Sequence, residues 1–317
     1  SEYAIAHGFC DQRDSTHLTG PIPTSEESGK ILQENDYQYE WLGPGHFGGL
    51  ISGLYPDGKR TIWSNGREGI VKLDYETLEV LDTFSLSHEK PDELFSNHSD
   101  WETGVADLDD FTDEEKLIQS AISLAGRFMT GLDGIYSLLD INHVMYLGRK
   151  EGVVAYAERD PNSRYSSLFE KARWDKPEEI EGFFVGINMT PDGRIVLSTD
   201  HGWLISLSRD FLDYVAVQIP GAANQAAEHC KIMETEKGNT GYGWVRTSLC
   251  CDEEGGIYIN SVDHLHRVVW NGKKFSFSDD DGAWSSKYRN GTGNGSGTTP
   301  SLMGDDPNKD RFVVIGD

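Results

Sequence analysis

The chain has few basic residues for its length and no long apolar segment. Its 317 residues carry 28 Lys and Arg against 53 Asp and Glu, which gives a formal net charge of −25. That charge repels phosphate backbones and anionic lipid headgroups, so nucleic acid is excluded as an expected partner. No apolar run approaches the roughly 18 residues that a membrane span needs, so no membrane span is predicted. We interpret the acidic excess as solvated surface.

Cysteine is scarce, and the four that occur do not form a zinc pattern of the CxxC type. Cys250 and Cys251 are adjacent, which is compatible with a strained vicinal disulfide, with a bridge from one of them to Cys230 or Cys10, or with buried thiols outside any disulfide. An oxidising compartment is favoured, and with it a secreted or periplasmic glycoprotein. The sequons that permit glycosylation begin at Asn97, Asn188, Asn290 and Asn294.

The sequence also lacks the GxSxG, HExxH, Walker and Rossmann motifs. The chain begins at Ser1 with neither an initiator Met nor a basic-then-apolar leader, so we expect either a mature, processed protein or a shortened form.

The sequence does contain a repeated motif. Residues 53–63, 187–197 and 249–259 each enter an Asp/Gly-centred turn from one apolar, β-prone run and leave it into another. That is the local chemistry of a β-hairpin. Together with 35 Gly and many aromatic residues, repeated hairpins predict an all-β fold, a β-propeller of four-stranded blades.

The pattern predicts about 4.5 blades in residues 49–317, after an N-terminal arm at 1–48 that has room for one closing strand. The predicted strands are 50–54, 60–64, 69–74 and 80–85 in the first blade, 134–139, 144–148, 152–157 and 165–172 in the second, 183–189, 194–198, 203–208 and 214–219 in the third, and 244–251, 256–261, 266–270 and 274–278 in the fourth. A helical insertion is predicted within 86–132, with apolar residues at helical spacing from Asp113 to Met129. A long connection is predicted at 220–243.

The fifth blade is half built. Residues 298–303 and 310–315 supply two strands, and a sheet that ends there has an unpaired edge. Three explanations stay open: the N-terminal arm completes the ring, a second polypeptide completes it, or the chain is shortened.

Alignment of the repeats places one loop of each blade, between its second and third strands, at the same end of the propeller. These loops contain Asn65, Arg149, the pair Asp200 and His201, and the pair Asp263 and His264. Imidazole and carboxylate groups that meet near the axis would bind a divalent metal ion or act as acid and base. The bland alternative is that each Asp only stabilises its turn.

The predicted site therefore has three parts. Its catalytic groups are Asp200, His201, Asp263 and His264, and its metal ligands are His46, His201 and His264. The predicted substrate-binding residues are Asn65, Arg149, Arg246, Thr298 and Thr299. His143 lies out of phase with the repeats, and we expect it at the surface.

The Pro-Asp-Gly hairpins and four-strand periodicity resemble the quinoprotein-like and NHL-type β-propellers over residues 49–317. Residues 256–270 and 295–304 are similar to uncharacterised bacterial proteins described as quinoprotein-like propellers. The resemblance implies the fold. In quinoprotein alcohol dehydrogenases a disulfide between two adjacent cysteines lies beside the quinone. The adjacent Cys250 and Cys251 resemble that cysteine pair. Their Ala-x-Asp-x-x-Thr-Gly-Lys-x-x-Trp docking motif is absent here, so pyrroloquinoline quinone (PQQ) is not an expected cofactor.

Two functions are compatible with these observations. The first is an extracytoplasmic enzyme, a lyase, isomerase or hydrolase, that acts on a small polar metabolite or sugar at the channel mouth. The second is a non-catalytic binding module, or one chain of a heteromeric complex whose partner completes the ring.

Overall fold

A computed structural model describes residues 4–7, 33, 35, 37–42, 48–66, 69–86, 98–128, 135–237, 243–291, 295–304 and 311–316. In these residues, antiparallel strands form five sheets that follow one another along the chain. None of the helices in the described part is long and apolar enough to cross a bilayer.

The elements, in chain order, have the following bounds. The N-terminal strand is β1 (Ala4–His7). Sheet 1 contains β2 (Leu50–Ile51), β3 (Thr61–Asn65), β4 (Gly69–Asp74) and β5 (Val80–Ser85). Helices α1 (His98–Ala106) and α2 (Glu114–Phe128) follow, with a 3-10 turn (Asp107–Asp110) between them. Sheet 2 contains β6 (Ser137–Asp140), β7 (Met145–Arg149), β8 (Gly152–Glu158) and β9 (Leu168–Asp175).

Sheet 3 contains β10 (Phe184–Met189), β11 (Ile195–Thr199), β12 (Trp203–Leu207) and β13 (Tyr214–Gln218), and helix α3 (Ala222–Lys237) comes next. Sheet 4 contains β14 (Cys250–Cys251), β15 (Gly256–Asn260), β16 (His264–Trp270), β17 (Phe275–Ser276) and, after a 3-10 turn (Asp279–Asp281), β18 (Trp284–Lys287). Sheet 5 contains β19 (Ser301–Met303) and β20 (Phe312–Val314).

The first strands of consecutive sheets lie side by side, and this arrangement defines a propeller. β2 contacts β6, β6 contacts β10, and β10 contacts β14. Each sheet then runs outward as an antiparallel meander from its first strand. The predicted β-propeller, with four full sheets and a half-built fifth, is therefore confirmed.

The N-terminal arm contributes a strand to a sheet other than the half-built one. β1 pairs antiparallel with β6, the inner strand of sheet 2, and also contacts β2 and β10. In the described part of the chain it therefore lies at the axis, while sheet 5 keeps its two strands.

The turn between the first and second strands has the same hydrogen bonds in sheets 1 to 4. In each, the amide of the fourth turn residue donates to the carbonyl of the first, and that fourth residue has positive φ. The four positions are Gly58, His143, Gly193 and Gly255, with φ of 78°, 56°, 82° and 83°. Glycine adopts this conformation without the Cβ penalty that other residues have, so His143 is the exception.

The expectation that His143 lies at the surface is wrong. Its ring is buried, with its centroid 4.2 Å from that of Tyr55 and its Nδ1 3.6 Å from Oε2 of Glu158. Sequence alignment missed its position because the turn lacks the Pro-Asp-Gly phrase. His143 takes the glycine position of its turn and packs between sheets 1 and 2.

Apolar clusters between the sheets hold the propeller together. Leu50, Trp63 and Ile70 of sheet 1 pack on Leu139, Met145, Leu147 and Val154 of sheet 2. A larger cluster joins sheets 2, 3 and 4 through residues such as Phe184, Ile187, Leu204, Trp244 and Val268. Successive residues of a strand point to opposite faces of its sheet. Because each face packs on a neighbouring sheet, the residues on both faces are buried.

The predicted helix from Asp113 to Met129 is confirmed as α2, and Asp113 accepts hydrogen bonds from the amides of Glu115 and Lys116 at its start. The connection at 220–243 contains a helix that was not predicted, α3. Its buried residues Ala222, Ala226 and Cys230 recur every four residues, and the two alanines belong to the large cluster. Alanines at this spacing give little difference in hydrophobicity between the two faces of a helix, so the pattern predicts the helix only weakly.

None of Cys230, Cys250 and Cys251 forms a disulfide, so the vicinal bridge is not formed, and Cys10 lies outside the described residues. The sequon at Asn188 is wrong as a glycosylation site, because the side chain is fully buried and donates to the Leu249 carbonyl at 3.0 Å. Asn97 and Asn294 lie outside the described residues.

Candidate functional site

The loops between second and third strands lie where the sequence alignment places them. They connect β3 to β4, β7 to β8, β11 to β12 and β15 to β16. In an antiparallel meander, the second and fourth strands run in the same direction, so these loops share one end with the connections that lead to the next sheet. Asp200 and His201 lie in the β11–β12 loop, and Asp263 lies in the β15–β16 loop, with His264 at the start of β16.

Asp200 is a buried carboxylate that joins its loop to the preceding sheet connection. Its Oδ1 accepts a hydrogen bond from the Phe183 amide at 2.8 Å, and its own amide donates to the Phe183 carbonyl at 3.0 Å. The same Oδ1 lies 2.9 Å from Nδ1 of His201. The carboxylate is thus fixed by the backbone before it contacts the imidazole.

Cys230 of α3 completes a compact group with this pair. Its Sγ lies 4.0 Å from Nδ1 of His201, and one ligand atom from each of Asp200, His201 and Cys230 lies within 4.8 Å of the others. Asp200 and Cys230 are buried, whereas the His201 side chain is 23% exposed. Carboxylate, imidazole and thiol groups therefore meet around a single ring nitrogen of a partly exposed histidine.

The electrostatics of the group favour the protonated form of His201. The hydrogen bond with Asp200, followed by that with Cys230, raises the pKa of His201 to about 10, although burial opposes the shift. In the metal-free protein at neutral pH the imidazole is therefore protonated, with its Nδ1 proton facing the carboxylate and the sulfur.

Two glycines allow the backbone to approach this group closely. A Cβ at Gly182 would lie 2.0 Å from Oδ1 of Asp200 and 2.6 Å from Nδ1 of His201, and Gly182 also has φ of +89°. A Cβ at Gly243 would lie 2.2 Å from Cβ of Asp200. Any side chain at these positions would displace the carboxylate, so the two glycines fix the geometry of the group.

A lysine lies on the same sheet connection. The Lys176 ammonium donates to the Gly182 carbonyl and lies 5.6 Å from the centroid of the Phe184 ring. Burial lowers the pKa of Lys176, and the nearby charges of Asp200 and Glu151 partly compensate. The charge of Asp200 thus acts on Lys176, while the ammonium itself is hydrogen-bonded to the connection that leads to sheet 3.

The second predicted pair is also formed, but separately. Nδ1 of His264 lies 2.7 Å from Oδ1 of Asp263, and both side chains are more than one third exposed. The His264 ring stacks on His266 with centroids 5.9 Å apart. Burial, followed by the charge of His264, lowers the pKa of His266 to about 4, so this second imidazole is neutral at pH 7.

One extended segment separates the two Asp-His pairs. The Val245 amide donates to the Asp200 carbonyl at 3.0 Å, and Val245 also pairs with Ser261, which precedes Asp263 by two residues. The neighbouring Trp244 ring lies 6.0 Å from the His266 ring. The pairs therefore flank the same segment from adjacent sheets, and in the described residues Asp263 and His264 do not join the compact group of Asp200.

The other predicted residues are distributed along this face and beyond it. Asn65 is buried at the end of β3, Arg149 ends β7, and Arg246 follows Val245 in the segment between the pairs. Thr298 has a structural contact, because its hydroxyl accepts the Gly316 amide at 2.6 Å and its carbonyl accepts the Asn260 side chain at 3.0 Å. Thr299 is half-buried. Their roles in substrate binding stay predictions, and His46 lies outside the described residues.

Sequence reasoning missed Cys230 and Lys176. Cys230 is 29 residues from His201 in the chain, and only the packing of α3 on the large apolar cluster brings them together. The spacing of Ala222, Ala226 and Cys230 was the available signal, because residues four apart share one face of a helix. Lys176 carries no motif.

The fold just described defines the class, a β-propeller, and Asp200, His201 and Cys230 lie close together on it. No protein-family model matches the chain. The chain is 34% identical over 194 residues to an uncharacterised protein of Archaeoglobus fulgidus, an alignment that covers 59% of this chain and 33% of that protein. The chain thus spans about a third of the length of this relative.

Among solved structures, the chain is similar to virginiamycin B lyase from Staphylococcus aureus, with a TM-score of 0.40 and 10% identity over 83% of this chain and 60% of that one. It is also similar to the WD40 β-propeller domain of Doa1, with a TM-score of 0.37 and 12% identity over 73% of this chain and 51% of that domain. At these identities the likeness says nothing about substrate or reaction.

Proposed function

We propose that the protein is a metal-dependent enzyme that acts on a small polar metabolite or sugar at the loop face of sheets 3 and 4. The observation that carries the proposal is the convergence of Asp200, His201 and Cys230, whose ligand atoms lie within 4.8 Å of one another. Three protein ligands of these types suit a divalent ion such as Zn²⁺ and leave a coordination position for substrate or water.

The chain's own residues would supply binding and orientation. Lys176 is close enough for the charge of Asp200 to influence it and is suited to an anionic or polar substrate group, and Arg149 and Arg246 are candidates for the same role. The exposed pair of Asp263 and His264 is suited to proton transfer, because a carboxylate at 2.7 Å orients the imidazole. A bound metal ion would polarise a carbonyl or activate water. Lyase, isomerase and hydrolase reactions all occur in enzymes that have this combination.

Titration with Co²⁺ tests the metal site, because cobalt bound to a thiolate has a charge-transfer absorption band that other ligands do not give. We expect a stoichiometric band in the unaltered protein and its loss in Cys230→Ser. Cys251→Ser is the matched control, since it removes a buried thiol outside the group, and it should keep the band. A band that survives in Cys230→Ser, or no band at all, would refute the site.

The enzymatic part has a separate test. Small sugars and carboxylic acids, added to the cobalt-loaded protein, should change the cobalt spectrum if they reach the open position. If metal binds and no compound of these classes alters the spectrum or is converted, the protein is a metal-stabilised binding module instead.

A second candidate function has an observation of its own. In the described residues sheet 5 has two strands where sheets 1 to 4 have at least four, and open sheets of this kind are compatible with a non-catalytic binding module or with one chain of a heteromeric complex. Intact mass measurement of the native complex tests this candidate directly. The first proposal includes an extracytoplasmic location. The acidic composition is the support for that location, and the buried sequon at Asn188 gives it none.

A further inference from the structure

The outer edge of sheet 4 departs from the regular four-stranded pattern. β17 pairs with the end of β16, and β18, after the 3-10 turn at Asp279–Asp281, pairs with its beginning. Arg267 fixes this return, because its guanidinium donates to the Asp252 carboxylate at 2.9 Å and to the Gly282 carbonyl at 2.6 Å. The fold thus holds a strand of four exposed residues, Trp284–Lys287, against the first half of β16.

The register of this strand pair places one serine against one histidine. Ser285 lies directly opposite His266, and its Oγ lies 3.1 Å from Nδ1 of the ring. The Tyr288 amide donates to the Asp263 carbonyl, and hydrogen-bonded pairs alternate along an antiparallel ladder. His266 and Ser285 therefore form a non-hydrogen-bonded pair, the kind in which side chains approach most closely.

A buried serine holds the other nitrogen of the same ring. Nε2 of His266 lies 2.9 Å from Oγ of Ser261, and that hydroxyl also contacts the His264 carbonyl at 3.2 Å. In a neutral imidazole one nitrogen donates and the other accepts, and a carbonyl oxygen only accepts. If Ser261 donates to the carbonyl, it accepts from Nε2–H, and Nδ1 is left as the acceptor for Ser285. This arrangement satisfies all three contacts, whereas the other tautomer loses the one with the carbonyl.

We propose that Ser285 is a nucleophile for acyl transfer from small carboxylic esters, with His266 as its general base and Ser261 as the positioning residue of that base. An exposed hydroxyl, a base within hydrogen-bond reach and a third group that orients the base are the parts that a nucleophilic serine needs. None of the three residues belongs to the candidate metal group, so the site is independent of the proposed metal-dependent function.

The covalent steps use only the ester and water. Oγ of Ser285 attacks the ester carbonyl carbon while its proton passes to Nδ1 of His266, and the tetrahedral oxyanion collapses with cleavage of the bond to the alkoxy oxygen. His266 returns the proton to that oxygen, which leaves as the alcohol. Water then attacks the acyl-serine and gives one proton to Nδ1. The carboxylic acid is released as Oγ regains that proton.

The open edge of β18 supplies donors for the oxyanion. In a non-hydrogen-bonded pair the backbone groups point away from the partner strand, so the Ser285 and Lys287 amides face the outer edge. In the described residues no strand pairs with that edge. Backbone amides directed at a developing negative charge stabilise it. Because every residue of β18 is exposed, this strand does not enclose an acyl chain, and small acyl groups such as acetyl are the expected substrates.

The test uses the full chain, with p-nitrophenyl acetate as the acyl donor in a buffer that contains EDTA. We expect release of p-nitrophenolate and an acetyl group that peptide mass spectrometry locates on Ser285. Ser285→Ala should remove both signals. Ser286→Ala is the matched control and should keep them, because this neighbouring serine is also exposed but points to the opposite face of the sheet.

Two further variants test the roles of the other residues. His266→Gln should slow acylation at least about 100-fold, because it removes the base. Ser261→Ala should slow acylation about ten-fold through the loss of one hydrogen bond, and Ser261→Thr, which keeps the hydroxyl, should restore the rate. Circular dichroism checks that each variant is folded.

Three results would overturn the inference: no acetyl group on Ser285 of the folded, unaltered protein, an unchanged rate in His266→Gln, or acylation that requires added metal. An unchanged rate in Ser261→Ala would overturn its positioning role. The Co²⁺ titration reports on the metal group separately, so the failure of this inference and the failure of the metal-dependent function are distinguishable.

Discussion

Lys72 and Glu158 form a buried ion pair that joins sheet 1 to sheet 2, and its removal should show strong coupling. Nζ of Lys72 lies 2.6 Å from Oε1 of Glu158, and the two side chains are 0% and 1% exposed. The Tyr55 hydroxyl donates to the same carboxylate oxygen at 2.8 Å, and the lysine also donates to the Ser166 carbonyl at 2.5 Å. Neither charge can reach water if its partner is removed.

The expected magnitudes follow from that burial. Lys72→Met or Glu158→Gln alone should each lower the free energy of unfolding by about 3–5 kcal/mol, because one buried charge is left uncompensated. The double variant has no buried charge and loses only hydrogen bonds, such as that to Ser166. Its cost should be about 1–3 kcal/mol. The double-mutant cycle should therefore give a coupling of at least about 2 kcal/mol.

The measurement is urea unfolding followed by circular dichroism for the four proteins of the cycle. The exposed pair of Arg173 and Glu170, with N–O distance 2.8 Å, is the matched control. Its cycle should give less than about 1 kcal/mol because solvent screens both charges. If the two single variants at Lys72 and Glu158 are additive, or if either costs no more than the control, the reasoning is refuted.

Three further predictions concern the site, a turn and acid stability. Gly182→Ala should weaken Co²⁺ binding at least about ten-fold, because the added Cβ would displace Asp200. Gly221→Ala is the control: it is also at positive φ, but the nearest atom to the added Cβ is 3.6 Å away, so the affinity should be kept. Equal losses of Co²⁺ affinity in both variants would contradict the role of Gly182 in fixing Asp200. His143→Gly should destabilise by about 1–3 kcal/mol in urea, because the lost contacts with Tyr55 and Glu158 outweigh the relief of positive φ, and a stabilised variant would contradict this. Burial tends to raise the pKa of Asp252, but hydrogen bonds from Arg267 and the Gly256 amide outweigh it and hold the pKa below its usual value. The carboxylate therefore stabilises the fold above its unfolded pKa of about 4, and that stability is lost as pH falls through the lowered pKa. Asp252→Asn should flatten the decline of Tm below about pH 4. Parallel curves of Tm against pH for the variant and the unaltered protein would contradict this explanation.

The strands of the propeller were predictable because their information is local. An apolar run, a turn with a residue at positive φ and a second apolar run specify a hairpin without help from the rest of the chain. The exceptions have specific causes. The outer strand of sheet 4 is divided between β17 and β18, which pair with different parts of β16. No single run of residues therefore predicts that strand. At His143 the protein uses a non-glycine residue in the turn because the ring is needed between the sheets.

The candidate site was predictable in part. Loop alignment was sufficient to pair Asp200 with His201 and Asp263 with His264, because sequence neighbours in a turn are also neighbours in space. It could not supply Cys230, whose position depends on how α3 docks through Ala222 and Ala226. It also could not show that Gly182 and Gly243 come from two different connections to enclose one carboxylate.

These contacts make the candidate metal group a property of neighbouring sheets, not of one repeat. Its Asp200 is fixed by Phe183 in the connection before sheet 3, while its Cys230 comes from the helix after that sheet. The Asp200 carbonyl is held by Val245, which in turn pairs with Ser261 of sheet 4. A change that loosens the packing of sheet 3 on sheet 4 should therefore weaken metal binding even where it touches none of the three ligands, because the ligand geometry is set by the stacking of the sheets.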